Sequence, residues 1–146
     1  MQDIESIMFT NVSRFKRLNE RKMEMLMNKY DLRKIDVEII IYLANCRDKN
    51  TAKDIASMEM FTKGHISQSV KRMHESGYIN ITQDEKDLRV QHLTLTDKAE
   101  AILEEMMVIR QEMDKCVFAG VTDEEMQVMR NVFNKMCDNI MNEMNQ

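Results

Sequence analysis

One short segment has side chains whose types and spacing suit contact with nucleic acid. After Thr62, the apolar residues Ile66, Val70 and Met73 recur at steps of four and three, which predicts a helix with one buried face. The opposite side then carries hydrogen-bonding or positively charged side chains: Lys63, Ser67, Gln68, Lys71 and Arg72. Hydrogen-bonding groups of this kind suit base edges, and cations suit phosphates. We take these residues, with Thr62 and His65 at the helix start, as candidate nucleic-acid contacts.

A β-hairpin is predicted directly after this helix. Gly77 stands where a left-handed residue ends many helices. The apolar period then changes from 3.6 to 2, because Ile79 and Ile81 alternate with polar residues, and so do Leu93 and Leu95. The polar run QDEKDL between the two strands is expected to form the tip.

The charged hairpin tip holds two further candidate contacts, Lys86 and Arg89. An arginine can enter a narrow minor groove, where the negative potential is enhanced. Asp87 is expected to have a structural role, because it lies two residues before Arg89 and can orient the guanidinium by a charge-assisted hydrogen bond. Polar tips are common on any hairpin, so a solvated turn without a partner is the alternative.

The elements before the hairpin complete a recognisable order. Asp36 is predicted to N-cap a helix with the sequence VEIIIYLANC, and Thr51 with Asp54 resembles a capping box that opens a short helix, TAKDIASM. After a brief turn, Thr62 caps the candidate contact helix. A short helix, a turn, a second helix and a hairpin form the order of a winged helix-turn-helix, in which the second helix enters the DNA major groove.

Long helices are predicted at both ends of the chain. Thr96 is expected to cap one helix, Gly120 to end it, and Thr122 with Glu125 to open the last one. The three terminal helices carry more apolar surface than a small domain needs, and an isologous dimer would bury it. The residues predicted at this dimer interface are Ile4, Met8, Val12, Ile102, Met106, Ile109, Met129, Phe133, Met136 and Ile140.

The chain has the size and composition of one globular domain. It has 146 residues, of which 43% are hydrophobic and 32% are charged. Residues 97–146 hold five basic and eleven acidic side chains, whereas residues 1–50 have a net charge of +2. The total of −4 therefore does not exclude a basic face in the first two thirds. Without an apolar run of membrane-spanning length or an export signal, we expect a cytoplasmic protein that does not contact membranes.

Patterns typical of enzymes and of metal sites are missing from the sequence. There is no phosphate-binding glycine loop, no G-x-S-x-G and no zinc-hydrolase motif. The three histidines form no pair with metal-ligand spacing. His65 is expected to face DNA, and His74 and His92 to lie at the surface or to be partly packed. We therefore expect no catalytic activity, no cofactor and no metal.

Residues 51–96 resemble the MarR family of bacterial transcription regulators. The segment reads TAKDIASMEMFTKGHISQSVKRMHESGYINITQDEKDLRVQHLTLT. The wing pattern of the family is D-x-R, then an aliphatic residue and L-T, and the matching residues here are Asp87, Arg89, Leu93, Leu95 and Thr96. The order of the flanking helices extends the resemblance to essentially the whole chain.

The resemblance implies a single, mainly α domain over residues 1–146. Its winged helix-turn-helix lobe, with a two-stranded β-wing, would cover about residues 36–96, and its dimerisation helices about residues 3–28 and 97–144. It also implies a homodimer on a pseudo-palindromic double-stranded DNA operator. Many proteins of the family are released from DNA by a small aromatic or lipophilic effector, which binds between the dimerisation and DNA-binding regions.

Two positions depart from the family pattern. The family often has glycine where this chain has Ala99, a conformationally mild change. Many members have arginine where this chain has Gln68, which alters the expected base preference.

Two alternatives remain open. Redox-sensing relatives use a cysteine in the first helix, whereas the cysteines here are Cys46, Cys116 and Cys137, which are more simply explained as packed thiols. Winged helices can also bind proteins instead of DNA. A protein-binding surface would favour apolar residues on the exposed side of the second helix, and this chain has Lys, Ser, Gln and Arg there.

Overall fold

The computed structural model describes residues 3–146. In this range, four helices precede one two-stranded sheet and two helices follow it. The elements in chain order are α1 (Ile4–Tyr30), α2 (Lys34–Asn45), α3 (Ala52–Ala56), α4 (Lys63–Glu75), β1 (Ile79–Gln83), β2 (Gln91–Leu95), α5 (Asp97–Val117) and α6 (Asp123–Met144). The mainly α, winged helix-turn-helix fold expected from the sequence is therefore confirmed.

The predicted helix boundaries are confirmed at most caps. The hydroxyls of Thr51, Thr62 and Thr122 accept the backbone N–H groups three residues later and so open α3, α4 and α6. Gly77 and Gly120 both have φ of 80°, in the left-handed region where a side chain would be strained. These two glycines end the runs that would otherwise continue as helix.

The start of α2 differs from the prediction that Asp36 would be its N-cap. The helix begins at Lys34, with Arg33 at the cap position, and Asp36 lies one turn inside. Its Oδ2 accepts the backbone N–H of Arg33 at 2.8 Å, as the acidic partner of a capping box does. The prediction was wrong because an aspartate fits both positions, and the sequence alone does not show which N–H it meets.

The predicted hairpin and its polar tip are confirmed. The strands β1 and β2 are antiparallel, with Ile79 opposite Leu95 and Ile81 opposite Leu93. Ile79 and Leu93 are buried against the helices, whereas residues 82 and 83, near the tip, are exposed. The core therefore fixes the base of the wing and leaves residues 84–90 to be held by other contacts.

The chain divides into two compact units, one ending at Arg110 and one beginning at Gln111, and the boundary falls within α5. The first unit contains one apolar core, formed by Leu26, Leu32, Val37, Ile39, Ile40, Ile55, Ile66, Val70, Met73, Tyr78, Ile79, Leu93, Ala99, Ile102 and Met106. Ile102 and Met106 had been predicted at the dimer interface. That prediction was wrong for both, because they are 0% and 7% exposed within their own chain.

No helix of residues 3–146 is long and apolar enough to cross a bilayer.

A polar contact inside this core joins α2 to α4. Among residues 3–146, the buried polar residues are Asp36 and Ser69. The Asp36 carboxylate accepts hydrogen bonds from the Ser69 hydroxyl and from the Arg72 guanidinium, both on α4. A buried carboxylate without such partners would be strongly destabilising, so the contact constrains where α4 can lie on α2.

We expect Asp36→Ala to lower the free energy of unfolding by about 2–3 kcal/mol, because Ser69 and the Arg72 guanidinium lose their acceptor. The loss is smaller than for a fully buried pair, since the Arg72 side chain is 30% exposed. Urea unfolding at one fixed protein concentration measures it, and Asp48→Ala on an exposed loop is the control. If the two variants were equally stable, α4 would not depend on this contact.

Candidate nucleic-acid interface

The helix α4 has one buried and one polar exposed face. Ile66, Val70 and Met73 are at most 8% exposed and pack into the core, as predicted. The candidate contacts that lie on the exposed side are Thr62, Lys63, His65, Ser67, Gln68 and Lys71. This face offers two cations together with hydroxyl, amide and imidazole groups, and it has no acidic side chain between residues 62 and 72. It can hydrogen-bond to base edges and attract phosphates.

The start of α4 is fixed by its cap. The Thr62 hydroxyl accepts the backbone N–H of His65 at 3.2 Å. Further N–H groups of the first turn then lie at the positive end of the helix dipole, which favours a phosphate oxygen.

Arg72 does not belong to the exposed set in which the sequence placed it. Its side chain is 30% exposed, and its guanidinium pairs with the buried Asp36 carboxylate. A guanidinium neutralised in this way is a poorer phosphate ligand than a free one, so its pair with Asp36 gives Arg72 a structural role, and its contact with DNA stays a prediction. No local pattern indicates this pair, because its two residues lie 36 positions apart along the chain.

The wing tip presents its cations on an ordered turn. Asp84 Oδ1 accepts the backbone N–H groups of Lys86 at 2.8 Å and Asp87 at 3.0 Å. Asp87 Oδ1 accepts the backbone N–H of Arg89 at 3.0 Å and lies 3.4 Å from its Nε. The Arg89 side chain is 93% exposed, so its charge is available to a partner. The two aspartates therefore organise the turn that carries Lys86 and Arg89.

The imidazole rings of two of the three histidines make polar contacts within the fold. His74 Nδ1 lies 2.9 Å from the carbonyl oxygen of Ile79, which ties the end of α4 to the start of β1. His92 Nε2 lies 2.8 Å from Asp84 Oδ2 in the wing. This bond and the two backbone N–H groups hold the pKa of the Asp84 carboxyl well below its usual range, at about 2.

Sequence reasoning missed two cations beside the exposed face of α4. A cavity of about 400 Å³ is lined by Arg33, Lys34, Ile35, Phe61, His65, Gln68, Ser69 and Arg72. Arg33 and Lys34 are exposed at the start of α2, and Lys34 lies 3.4 Å from a Glu20 carboxylate oxygen. Arg33 extends the positive charge of the interface beyond α4, whereas Glu20 offsets part of the charge of Lys34. The adjacent Arg33 and Lys34 are a basic pair that is visible in the sequence. Because the pair lies far along the chain from Lys63, the sequence does not show that it lies beside α4.

The cysteines are less packed than expected. Cys116 and Cys137 are exposed, so the expectation of packed thiols was wrong for these two within the chain. Cys46 is half-buried, and burial raises the pKa of its thiol, which lowers the fraction present as reactive thiolate. Within residues 3–146, no group of three or more His, Cys, Asp or Glu side chains is placed to hold a metal.

The low pKa of Asp84 makes the wing turn sensitive to acid. Because the folded pKa of about 2 lies below the usual 3.8, the hydrogen bonds stabilise the turn fully above about pH 4, and this contribution is lost as the pH falls through about 2. Carboxyl carbon shifts measured by NMR against pH, with Asp84→Asn to assign the resonance, test this. Titration near 3.8 would contradict the turn described here.

Solved structures of bacterial and archaeal regulators share this fold. A point mutant of MepR from S. aureus has a TM-score of 0.77 and 21% identity, covering 95% of this chain and 99% of that chain. A MarR transcriptional regulator from Methanosarcina mazei Go1 has a TM-score of 0.73 and 18% identity, covering 94% and 98%. The S. aureus MepR–DNA complex has a TM-score of 0.71 and 21% identity, covering 95% and 99%.

The sequence itself matches one protein family. The family described as transcriptional regulator SarA/Rot matches residues 21–106, which include the whole helix-turn-helix, the wing and the first half of α5. No curated protein gives a significant sequence match. With more than half of its length covered by that match and with the fold of the MarR-type regulators, the chain belongs to the SarA/Rot family of transcriptional regulators.

Proposed function

We propose that the protein is a sequence-specific DNA-binding regulator, which acts as a repressor by occupying a pseudo-palindromic operator as a homodimer. The observation that carries the proposal is the exposed face of α4, which combines Lys63 and Lys71 with Ser67 and Gln68 and has no large apolar side chain. A protein-binding surface would favour apolar groups at its centre. The MepR–DNA complex, which has the same fold, supports a DNA partner.

The two parts of the interface have different tasks in this proposal. Gln68, exposed in the middle of α4, can pair with both hydrogen-bonding groups of an adenine edge in the major groove. Arg89, at the wing tip, acts through phosphates and groove shape, because an exposed guanidinium on a hairpin meets the backbone and minor groove first.

This division predicts different results for two variants. Gln68→Ala should cost about 1–3 kcal/mol at one base position and relax the preference there, with little change in salt dependence. Arg89→Ala should weaken binding to most sequences and reduce the salt slope by about one phosphate contact. Operator affinity against salt concentration, on the selected site and on single-base variants, measures both effects.

The exposed Arg110 and Gln111 on α5 supply the matched controls, Arg110→Ala and Gln111→Ala. Equal losses for Gln68→Ala on every sequence would contradict its assignment to base reading. Unchanged affinity for Arg89→Ala would reduce the wing to a solvated turn.

The terminal helices support the homodimer. The helix α6 has no buried residue over 22 positions, although it carries the exposed apolar side chains Val128, Met129, Val132, Phe133, Ile140, Met141 and Met144. In the first unit, α1 also exposes apolar side chains: Ile4, Ile7, Phe9, Val12 and Phe15. Apolar faces of this extent are rarely left in water, and a second copy would cover them.

We therefore expect a mass of twice 17.3 kDa by light scattering at micromolar concentration. Phe133→Glu should shift the protein towards the monomer, because it places a charge in the proposed interface, while Asn134→Glu adds the same charge at an adjacent polar position. A parent protein that was monomeric would remove the dimer from the proposal. Bound recognition helices of a dimer would lie roughly 34–36 Å apart.

A second cavity supports release by a small aromatic or lipophilic effector. It has a volume of about 370 Å³ and is lined by Leu43, Ala44, Cys46, Arg47, Asn50, Leu93, Thr94, Leu95, Glu100 and Leu103. Four leucines offer apolar contact, and Arg47 offers a partner for a carboxylate. An inducer would have to favour the DNA-incompetent form by about 1–3 kcal/mol. If benzoate-like and lipophilic compounds all left operator affinity unchanged, the effector part of the proposal would fail.

A further inference from the structure

The wing tip is attached to the rest of the first unit by more than the packing of its strands. An isolated two-stranded hairpin is only marginally stable in water. Ile79 and Leu93 anchor the base in the core, but residues 82, 83 and 91 near the tip are exposed. The orientation of Lys86 and Arg89 therefore needs a second constraint, closer to the tip.

A chain of side-chain hydrogen bonds supplies that constraint. His92 lies on β2, opposite Thr82, and its side chain is 31% exposed. Its Nε2 lies 2.8 Å from Asp84 Oδ2, and its Nδ1 lies 2.6 Å from Asn50 Oδ1. Since the other oxygen of Asp84 accepts the N–H groups of Lys86 and Asp87, the imidazole connects the turn to Asn50 through one carboxylate.

Asn50 is a fixed end for this chain because it belongs to the helix-turn-helix. It precedes Thr51, the N-cap of α3, whose hydroxyl and Asp54 form a closed capping box. The carbonyl oxygen of Asn50 also accepts the backbone N–H of Leu93 at 2.9 Å. The same residue thus meets two consecutive positions of β2, one by its backbone and one by its side chain.

We propose that His92 is a positioning residue for DNA binding, which with Asp84 and Asn50 holds the wing tip in a fixed orientation relative to α3 and α4. The backbone of the turn that carries Lys86 and Arg89 then loses less conformational freedom on binding DNA. His92 itself is not expected to touch DNA. The inference rests on the proposed DNA-binding function and assigns the role of wing orientation within it.

The test is a double-mutant cycle between His92 and Arg89, measured as operator affinity of the full-length protein. His92→Ala should weaken binding about tenfold, the scale of one lost charge-assisted hydrogen bond. In an Arg89→Ala background the same change should have a smaller effect, because one of the two cations that His92 positions is gone. Gln91→Ala, on the same strand with an exposed side chain, should bind as the parent does.

Two further readouts separate positioning from a general loss of folding. His92→Gln keeps an N–H donor for Asp84 and should recover part of the affinity. In His92→Ala the pKa of Asp84 should rise from about 2 towards its usual value, and the amides of Lys86 and Asp87 should exchange faster with solvent, while those of α4 are unchanged.

The outcomes distinguish the two levels of the proposal. If the parent and Gln91→Ala bind operator and His92→Ala binds equally well, the positioning role is overturned and DNA binding stands. A loss of the same size in the parent and Arg89→Ala backgrounds also overturns it, since His92 would then act on stability or on another contact. If the parent selects no DNA sequence, the proposed function itself fails.

Discussion

The contact between Asp36 on α2 and Ser69 and Arg72 on α4 is the constraint on which the interface depends. A carboxylate that is fully buried tolerates few arrangements, because each alternative leaves it without a hydrogen-bond donor. Hydrophobic burial is not directional, so the apolar residues Ile66, Val70 and Met73 alone would constrain the rotation of α4 less tightly. The polar contact removes that freedom. It therefore determines which side chains of α4 face outward, and Gln68 and Lys71 are among them.

The wing has its own constraint, which shares Asn50 with the proposed effector cavity. Asn50 accepts from the backbone of β2, lies within hydrogen-bonding distance of His92, and also lines the cavity of about 370 Å³ together with Leu93. An occupant of that cavity would contact the residue that connects the wing to the helix-turn-helix.

The charge distribution agrees with a DNA interface on α4 and the wing, since residues 97–146 have a net charge of −6 and would be repelled by DNA. The cations of the interface all lie in the first unit.

Local patterns were sufficient to predict the elements, but not the polar contacts between them. The caps at Thr51, Thr62 and Thr122, the left-handed glycines and the two strands of the hairpin follow from short-range rules, and they were confirmed. The contacts of Asp36 and His92 were not predicted, because their partners are distant along the chain. Ser69 and Arg72 lie 33 and 36 positions from Asp36, and Asn50 lies 42 positions from His92. The apolar pattern of α5 correctly indicated that Ile102 and Met106 are buried. It did not show that Ile102 and Met106 face their own core, since an apolar stripe is the same for either partner.

The central claim is that α4 and the wing form one DNA-binding surface, with α4 in the major groove and the wing beside it. Amide hydrogen exchange of the protein, free and bound to an oligonucleotide selected from a random pool, tests this most directly. We expect new protection at the start of α4, over residues 63–68, and across the wing turn, over residues 84–90, with α6 unchanged by DNA. Protection that appeared on α6 and was absent from both α4 and the wing would contradict the account.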